Sequence, residues 1–331
     1  MEKMMVYNLR EFDEREFFTK YGKECGFEIV STSESPSLEN AYLANGCKYV
    51  NIITTPINEE LMKKFAENGM KYLVTRTIGY DHIDLEAAEK YGVKVANAPY
   101  GPDGVAEYSV MMMLMCIRNM KSIMHRFMGQ DFTLKGLIGG ELSSMTVGVI
   151  GTGRIGARVC EMLSGFGCKV LAYSEFKSEK AEKYAEYVDY ETLLKNSDVI
   201  TLHVPLTEKT QHMIGKKETE IMKKGVVIVN TARGALIDTE AAVSALKSGK
   251  IGAMGLDVVE NESSLFYYDL REEIIDHEGL YMLRSFPNVI MSHHMAFYTR
   301  QAVETMVAVS MKGAEADKNG EKNNWQVNWF D

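Results

Sequence analysis

The stretch "TVGVIGTGRIGARV", residues 146–159, runs a strand-like apolar segment into a turn punctuated by Gly151, Gly153 and Gly156, and then into a helical pattern. A bare G-x-G-x-x-G recurs by chance, and a tight strand-to-helix turn with no ligand is the alternative it leaves open. The flanking strand and helix carry the reading. The first glycine permits the tight turn, the second lets backbone approach a pyrophosphate, and the third lets the helix pack on the strand. The helix start, Arg154-Ile155-Gly156, then offers unpaired N–H groups to the phosphates. Arg154 adds a charge-assisted contact there or is a solvated surface arginine.

The next strand-like segment, "KVLAYSEF" (169–176), should end at the adenosine ribose. Glu175 stands close to the ~20 residues beyond Gly156 at which an acid accepts from the ribose hydroxyls. That favours NAD. Ser174 precedes it and Lys177 follows, a pair compatible with a 2′-phosphate, so NADP stays open; Glu175 would repel that phosphate if it points inward.

Outward from this turn, short apolar segments alternate with longer amphipathic ones along the chain, the pattern of βαβ units in a parallel sheet. Candidate strands are "YVNII" (49–53), "YLVTR" (72–76), "KVLAY" (169–173), "VITLHV" (199–204), "VVIVN" (226–230), "AMGLDVV" (253–259) and "NVIMSH" (288–293). "NAPYGPDG" (97–104) separates an extended segment from a helix beginning near Val105, and a second crossover falls at 295–300. If both connections join the same two lobes, the two chain ends build one domain around the other. "ADKNGEKNN" (316–324) reads as a polar end.

At 331 residues the chain exceeds the ~250–300 at which single cores stop growing, which predicts two domains. Its 37 Lys+Arg against 46 Asp+Glu, a formal charge of −9, offers no footprint for nucleic acid or an anionic membrane surface. No apolar run reaches the ~18 residues of a spanning helix, and "MEKMMVYNLREFDEREFF" lacks the parts of a secretory signal. A cytoplasmic location is the expectation. The five cysteines, Cys25, Cys47, Cys116, Cys160 and Cys168, never form C-x-x-C and read as reduced core residues, with no metal site. Met111, Met112, Met113 and Met115 read as core filling in one apolar helix rather than as a binding surface.

Three further segments carry candidate chemistry. "VVIVNTARGALIDTEA" (226–241) is a buried strand, a turn bearing Arg233-Gly234, and a helix start capped near Asp238. Ligands of doubly wound sheets lie beyond the carboxyl ends of strands, and the Arg233 fork suits a carboxylate; a salt bridge within the turn is the bland alternative. "GLDVVENESS" (255–264) ends a strand in Asp257, with Glu260 and Glu262 beyond it. An acid there that reaches an imidazole stabilises the protonated ring. "MSHHMAFYT" (291–299) supplies two histidines. Such a set suits reduction of a 2-oxo acid, in which hydride reaches the carbonyl carbon from reduced nicotinamide and a general acid protonates the oxygen.

In these segments, together with "YLVTRTIGYDHID" (72–84), "APYGPDGVAEYSVMMMLMCIRN" (98–119), "LHVPLTEKTQHMI" (202–214) and "HMAFYT" (294–299), the chain resembles the D-isomer-specific 2-hydroxyacid dehydrogenases. Through "TRTIGYDHID", "MKSI" and "FGCKVLAYS" it looks closest to D-lactate dehydrogenases of the vancomycin-resistance type. The resemblance implies a catalytic set of Arg233, Glu262 and His294: arginine on the substrate carboxylate, glutamate orienting the ring, histidine donating the proton. His293 stands where the family usually has proline. Ile78 and Gly79 fall where backbone N–H groups hold the substrate carboxylate, and Tyr100 and Phe297 where the side-chain pocket has walls, though either aromatic suits plain packing. Asp257 falls where an acid meets the nicotinamide carboxamide, Val204 and Pro205 where the chain passes the adenosine half, and Thr231 and Ala232 on the cofactor side.

The same resemblance implies two Rossmann-like doubly wound parallel-sheet domains with a cleft between them. Residues 1–100 plus 295–331 form the substrate domain, and 101–294 the dinucleotide-binding domain, whose helix near Val105 and arm (120–145) make a homodimer. "NIITTPIN" (51–58) contains no Lys or Arg, so a monocarboxylic substrate is favoured. Pyruvate leads, branched or aromatic 2-oxo acids remain open, and a phosphorylated acid would need cations such as Arg76, Lys63 or Lys64. A non-catalytic NAD-sensing corepressor is the alternative from another class.

Overall fold

The computed structural model describes residues 1–328, and the chain divides into two units. One comprises Met1–Gly101 and the chain from Tyr298 onward, the other Pro102–Phe297. Each has its own all-parallel sheet. The first unit holds β1 (Glu2–Val6), β2 (Phe27–Ser31), β3 (Tyr49–Ile52), β4 (Tyr72–Thr75) and β5 (Lys94–Ala96) in the order β2-β1-β3-β4-β5. The second holds β6 (Thr146–Ile150), β7 (Lys169–Tyr173), β8 (Glu186–Tyr187), β9 (Val199–Leu202), β10 (Val226–Asn230), β11 (Ile251–Leu256) and β12 (Val289–Met291) in the order β12-β11-β10-β9-β6-β7-β8. The first order is flavodoxin-like. In the second, the chain winds outward from β6 in both directions, which puts the switch point between β6 and β9.

The strands are apolar because helices cover both sheet faces. All residues of β3, β4, β9 and β10 are buried. Side-chain alternation sends Ile228 into one core layer with Leu246 and Met254, while Val227 and Val229 enter the other with Met113 and Leu163. β1, β2, β5 and β8 were not among the sequence candidates; β5 and β8 are too short to show a period.

Three sequence expectations change. Arg76, offered above as a cation for a phosphorylated substrate, is fully buried; it donates to Glu14 Oε1 (3.0 Å), Asn51 Oδ1 (2.7 Å) and the carbonyls of Tyr7 (3.1 Å) and Asn8 (3.2 Å). A buried guanidinium is tolerated only when its donors are matched in this way, and with no exposed surface it does not offer its charge to a ligand. Lys63 and Lys64 are exposed on their helix. The polar end is structural: the helix Arg300–Lys318 covers the segment's start, Asn323 is buried and donates to the Tyr72 hydroxyl, and Val327 N bonds Val95 O at 2.8 Å beside β5. The methionines of the helix Asp103–Ile117 divide. Met112 and Met113 are core, but Met111 is 41% exposed.

Candidate active site

The candidate residues of the second unit follow the carboxyl ends of its strands: Gly151 after β6, Ser174 after β7, Val204 after β9, Arg233 after β10, Asp257 after β11 and His294 after β12. Parallel strands all end on one side, so topology alone gathers these groups at one edge of the sheet.

At the glycine turn the three positions meet different demands. Gly151 has φ +90, open only to glycine at low cost, and a Cβ there would lie 2.7 Å from the His203 carbonyl. A Cβ at Gly156 would fall 1.9 Å from Gly151 O, so the helix start rests directly on the turn. At Gly153 a Cβ would meet no protein atom within 4 Å. Packing therefore explains Gly151 and Gly156 but not Gly153, which opens a surface that a bound group can approach. The first backbone bond of the helix Arg154–Ser164 is Ala157 N to Gly153 O at 2.9 Å, so the preceding N–H groups have no intrahelical acceptor. Ile155 turns its side chain to the core. These features suit a dinucleotide pyrophosphate.

Around this turn, His203 contacts Thr201 Oγ1 through Nε2 at 2.9 Å. The residue keeps some surface, but its ring is enclosed, and burial pushes the imidazole down to about 3, neutral at physiological pH. The ribose-side loop is pinned by the Tyr187 hydroxyl, 2.6 Å from Thr152 Oγ1 and accepting from Ser178 N at 2.8 Å. Ser174 is half-buried; Glu175 is exposed, with Lys209 Nζ 3.9 Å from its carboxylate. Val204 is half-buried and Pro205 exposed, its carbonyl accepting from Thr210 Oγ1 at 2.7 Å.

After β10 the buried Asn230 shapes the arginine turn, accepting from Ala232 N at 3.0 Å and donating to Arg233 O at 2.8 Å. Thr231 is buried against Ser109, hydroxyl to hydroxyl at 2.8 Å. Gly234 follows because a Cβ there would sit 2.0 Å from the Val259 carbonyl carbon and 2.3 Å from Glu260 N. This backbone contact brings the Arg233 turn against the loop that carries Glu262. Arg233 Nη1 donates to Ala232 O at 2.8 Å.

Glu262 opens the short 3₁₀ turn Glu262–Ser264. Its Oε2 accepts from Val259 N at 2.8 Å, and its Oε1 meets His294 Nδ1 at 2.5 Å. With Nδ1 committed, Nε2 is the ring nitrogen left for a ligand. His294 has φ +57, a left-handed conformation uncommon for a non-glycine residue. Asp257, fully buried, supports that turn: its carboxylate accepts from Ser292 Oγ (2.6 Å), Met295 N (2.8 Å) and Ala296 N (2.9 Å), and its carbonyl from His294 N (2.7 Å). The sequence suggested Asp257 for the cofactor alone and missed this work. The Phe297 ring stands edge-on to His294, centroids 6.2 Å apart. His293 is exposed, its ring 6.4 Å from that of Phe266.

Both loop acids find an imidazole, and Glu260 takes the other one. His212 Nε2 lies 2.6 Å from its Oε1, and Oε2 accepts from the Thr239 hydroxyl. His277 bonds the Glu260 carbonyl through Nε2 (2.8 Å) and caps its helix by accepting from Leu280 N (3.0 Å). Spacing within "VENESS" carried no signal to separate the two acids.

In the first unit, the Ile78 and Gly79 carbonyls are tied back, accepting from Asn97 Nδ2 (2.7 Å) and Thr77 Oγ1 (2.5 Å). Neither N–H has a backbone partner among the described residues. Tyr100 is half-buried.

Comparison with known proteins bears on the family and the fold. Residues 110–296 match the family described as D-isomer specific 2-hydroxyacid dehydrogenase, NAD binding domain. The chain is 45% identical to a D-specific alpha-keto acid dehydrogenase of Enterococcus faecalis, covering 84% of this chain and 85% of that protein. It is 42% identical to an aromatic 2-oxoacid reductase of Clostridium sporogenes, covering 93% and 94%. A solved D-lactate dehydrogenase with NAD+ from Lactobacillus jensenii is 34% identical, with a TM-score of 0.84 over 99% of this chain and 100% of that one.

Proposed function

The chain belongs to the D-isomer specific 2-hydroxyacid dehydrogenases, and from that membership we propose that it reduces a small monocarboxylic 2-oxo acid, pyruvate first, to the D-2-hydroxy acid. It is an NAD-dependent dehydrogenase. The observation that carries the assignment of roles is the 2.5 Å contact between Glu262 and His294 Nδ1.

Bound NADH supplies the hydride. The protein's own groups supply the rest. Gly151, Gly153, Arg154, Ile155 and Gly156 hold the pyrophosphate; Ser174, Glu175, Val204 and Pro205 hold the adenosine half; Thr231 and Ala232 line the cofactor side. Asp257 accepts three hydrogen bonds of the roughly four its carboxylate can take, which leaves one for a carboxamide. Arg233 grips the substrate carboxylate as a fork, and Ile78 and Gly79 add N–H donors to it. His294 delivers a proton from Nε2 to the carbonyl oxygen as it becomes an alkoxide, and Glu262 steadies the charged ring from the opposite side. Tyr100 and Phe297 wall the substrate's side chain.

The loop after β3 bears Thr54 and Thr55 and no cation, which supports a monocarboxylate. The aromatic 2-oxoacid reductase among the relatives favours a second reading, in which these small side chains leave room for a ring. NADH oxidation with pyruvate, 2-oxoisocaproate, phenylpyruvate and 2-oxoglutarate tests both. Pyruvate ahead of the others supports the first reading and phenylpyruvate the second; 2-oxoglutarate ahead of all would refute the monocarboxylate assignment. NADH is drawn from the cytoplasm, where we assign the chain; among the described residues no helix is long and apolar enough to cross a membrane.

We also assign a homodimer. The helix Asp103–Ile117 borders an open apolar groove of about 710 Å³ lined by Met111, Leu114, Met115, Met162 and Phe166. The same unit carries an arm on which Leu134 and Ile138 are 87% and 93% exposed. A recess and an apolar projection on one surface suit exchange between two identical copies about a two-fold axis.

A further inference from the structure

We propose that Tyr267 is a positioning residue for proton transfer: its hydroxyl holds the His294 carbonyl and so stabilises the backbone conformation from which the imidazole works. The inference rests on His294 being the acid.

The Tyr267 hydroxyl donates to His294 O at 2.8 Å. His294 needs such a hold, because φ +57 is disfavoured for a side chain with a Cβ, and the backbone drifts toward the β or right-handed regions once released. Asp257 fixes the amide side of the turn through His294 N, Met295 N and Ala296 N. Tyr267 fixes the carbonyl side. Tyr267 itself has φ +74, so its own backbone is bent to make the reach. Its ring lies 6.4 Å from the His294 ring and 6.5 Å from Phe297, edge-on to the latter. The loop that brings Glu262 to the imidazole therefore brings a second group to the same residue: one end grips the ring, the other the main chain. Tyr267 is 50% exposed, so its hydroxyl contributes little to the core.

The test is Tyr267→Phe, which keeps the ring and removes the donor, with Tyr267→Ala, which removes both, measured beside His294→Ala. Loss of one ordinary hydrogen bond corresponds to a fall of about three- to tenfold in kcat for Tyr267→Phe. KM for NADH and for the 2-oxo acid should stay within about twofold, since neither the cofactor turn nor Arg233 is touched. The melting temperature should fall by no more than about 2–4 °C, the worth of one hydrogen bond, and the solvent deuterium isotope effect on kcat should rise as proton transfer becomes slower. Unchanged kcat in Tyr267→Phe beside an inactive His294→Ala overturns the positioning role of Tyr267 alone. A fall in kcat matched by a lower melting temperature and no rise in the isotope effect also overturns it, as mere structural support. Near-normal turnover in His294→Ala removes the premise and the inference together.

Discussion

Asp257 is a buried carboxylate whose three accepted hydrogen bonds help keep the His294 turn in place. Asp257→Asn presents an amide to backbone N–H groups and leaves at least one donor unmatched, at a cost of about 1–3 kcal/mol by urea denaturation, with kcat falling too. His203 makes a second prediction. Its ring is pushed down to about 3 by burial, against ~6.5 in the unfolded chain, so between those values the unfolded state binds a proton that the native state refuses. Stability is thus lost as pH falls through that window, and His203→Gln should show a shallower drop in melting temperature between about pH 7 and about pH 4. An equally steep drop would show that the native ring titrates normally. At this scale local motifs showed an arginine, two loop acids and two adjacent histidines, and only the family resemblance singled out Glu262 and His294 among them. What Asp257, Glu260 and Tyr267 do was not legible, because their partners lie on other loops.

At the scale of elements, the glycine turn separates packing from binding. A Cβ at Gly156 collides with Gly151 O, whereas one at Gly153 meets no protein atom. Gly156→Ala should therefore destabilise the unit, by roughly 1–3 kcal/mol as other overpacked sites do. Gly153→Ala should leave the melting temperature alone and weaken NADH binding, read by fluorescence titration. Undiminished NADH affinity in Gly153→Ala would mean that the turn is not the pyrophosphate site. The strand-turn-helix character of this segment was readable because three glycines and an apolar run coincide. The edge strands were not: β5 is three residues and β8 two, shorter than any alternation can register. The segment after Lys318 misled for a different reason. Its composition is that of a solvated tail, yet Asn323 is buried by a tertiary bond to Tyr72 that no local pattern encodes.

For the whole molecule, alternating apolar and amphipathic segments announce parallel sheets but not their two different strand orders, and the chain passes between the units at Gly101–Pro102 and Phe297–Tyr298. Both crossings lie beside proline, glycine or aromatic residues visible in the sequence. The apolar groove was less visible, since Met111 reads as core until its neighbours are known. Light scattering after size exclusion should give twice the chain mass, and Met111→Lys with Ile138→Asp should give a monomer; a wild-type monomer would refute the assembly. The central claim concerns His294, and its most direct measurement is steady-state reduction of a 2-oxo acid by His294→Ala with NADH affinity measured on the same sample. Loss of a general acid predicts a rate lower by about 10²–10⁴-fold with cofactor binding unchanged. Turnover near that of the wild type would contradict the account.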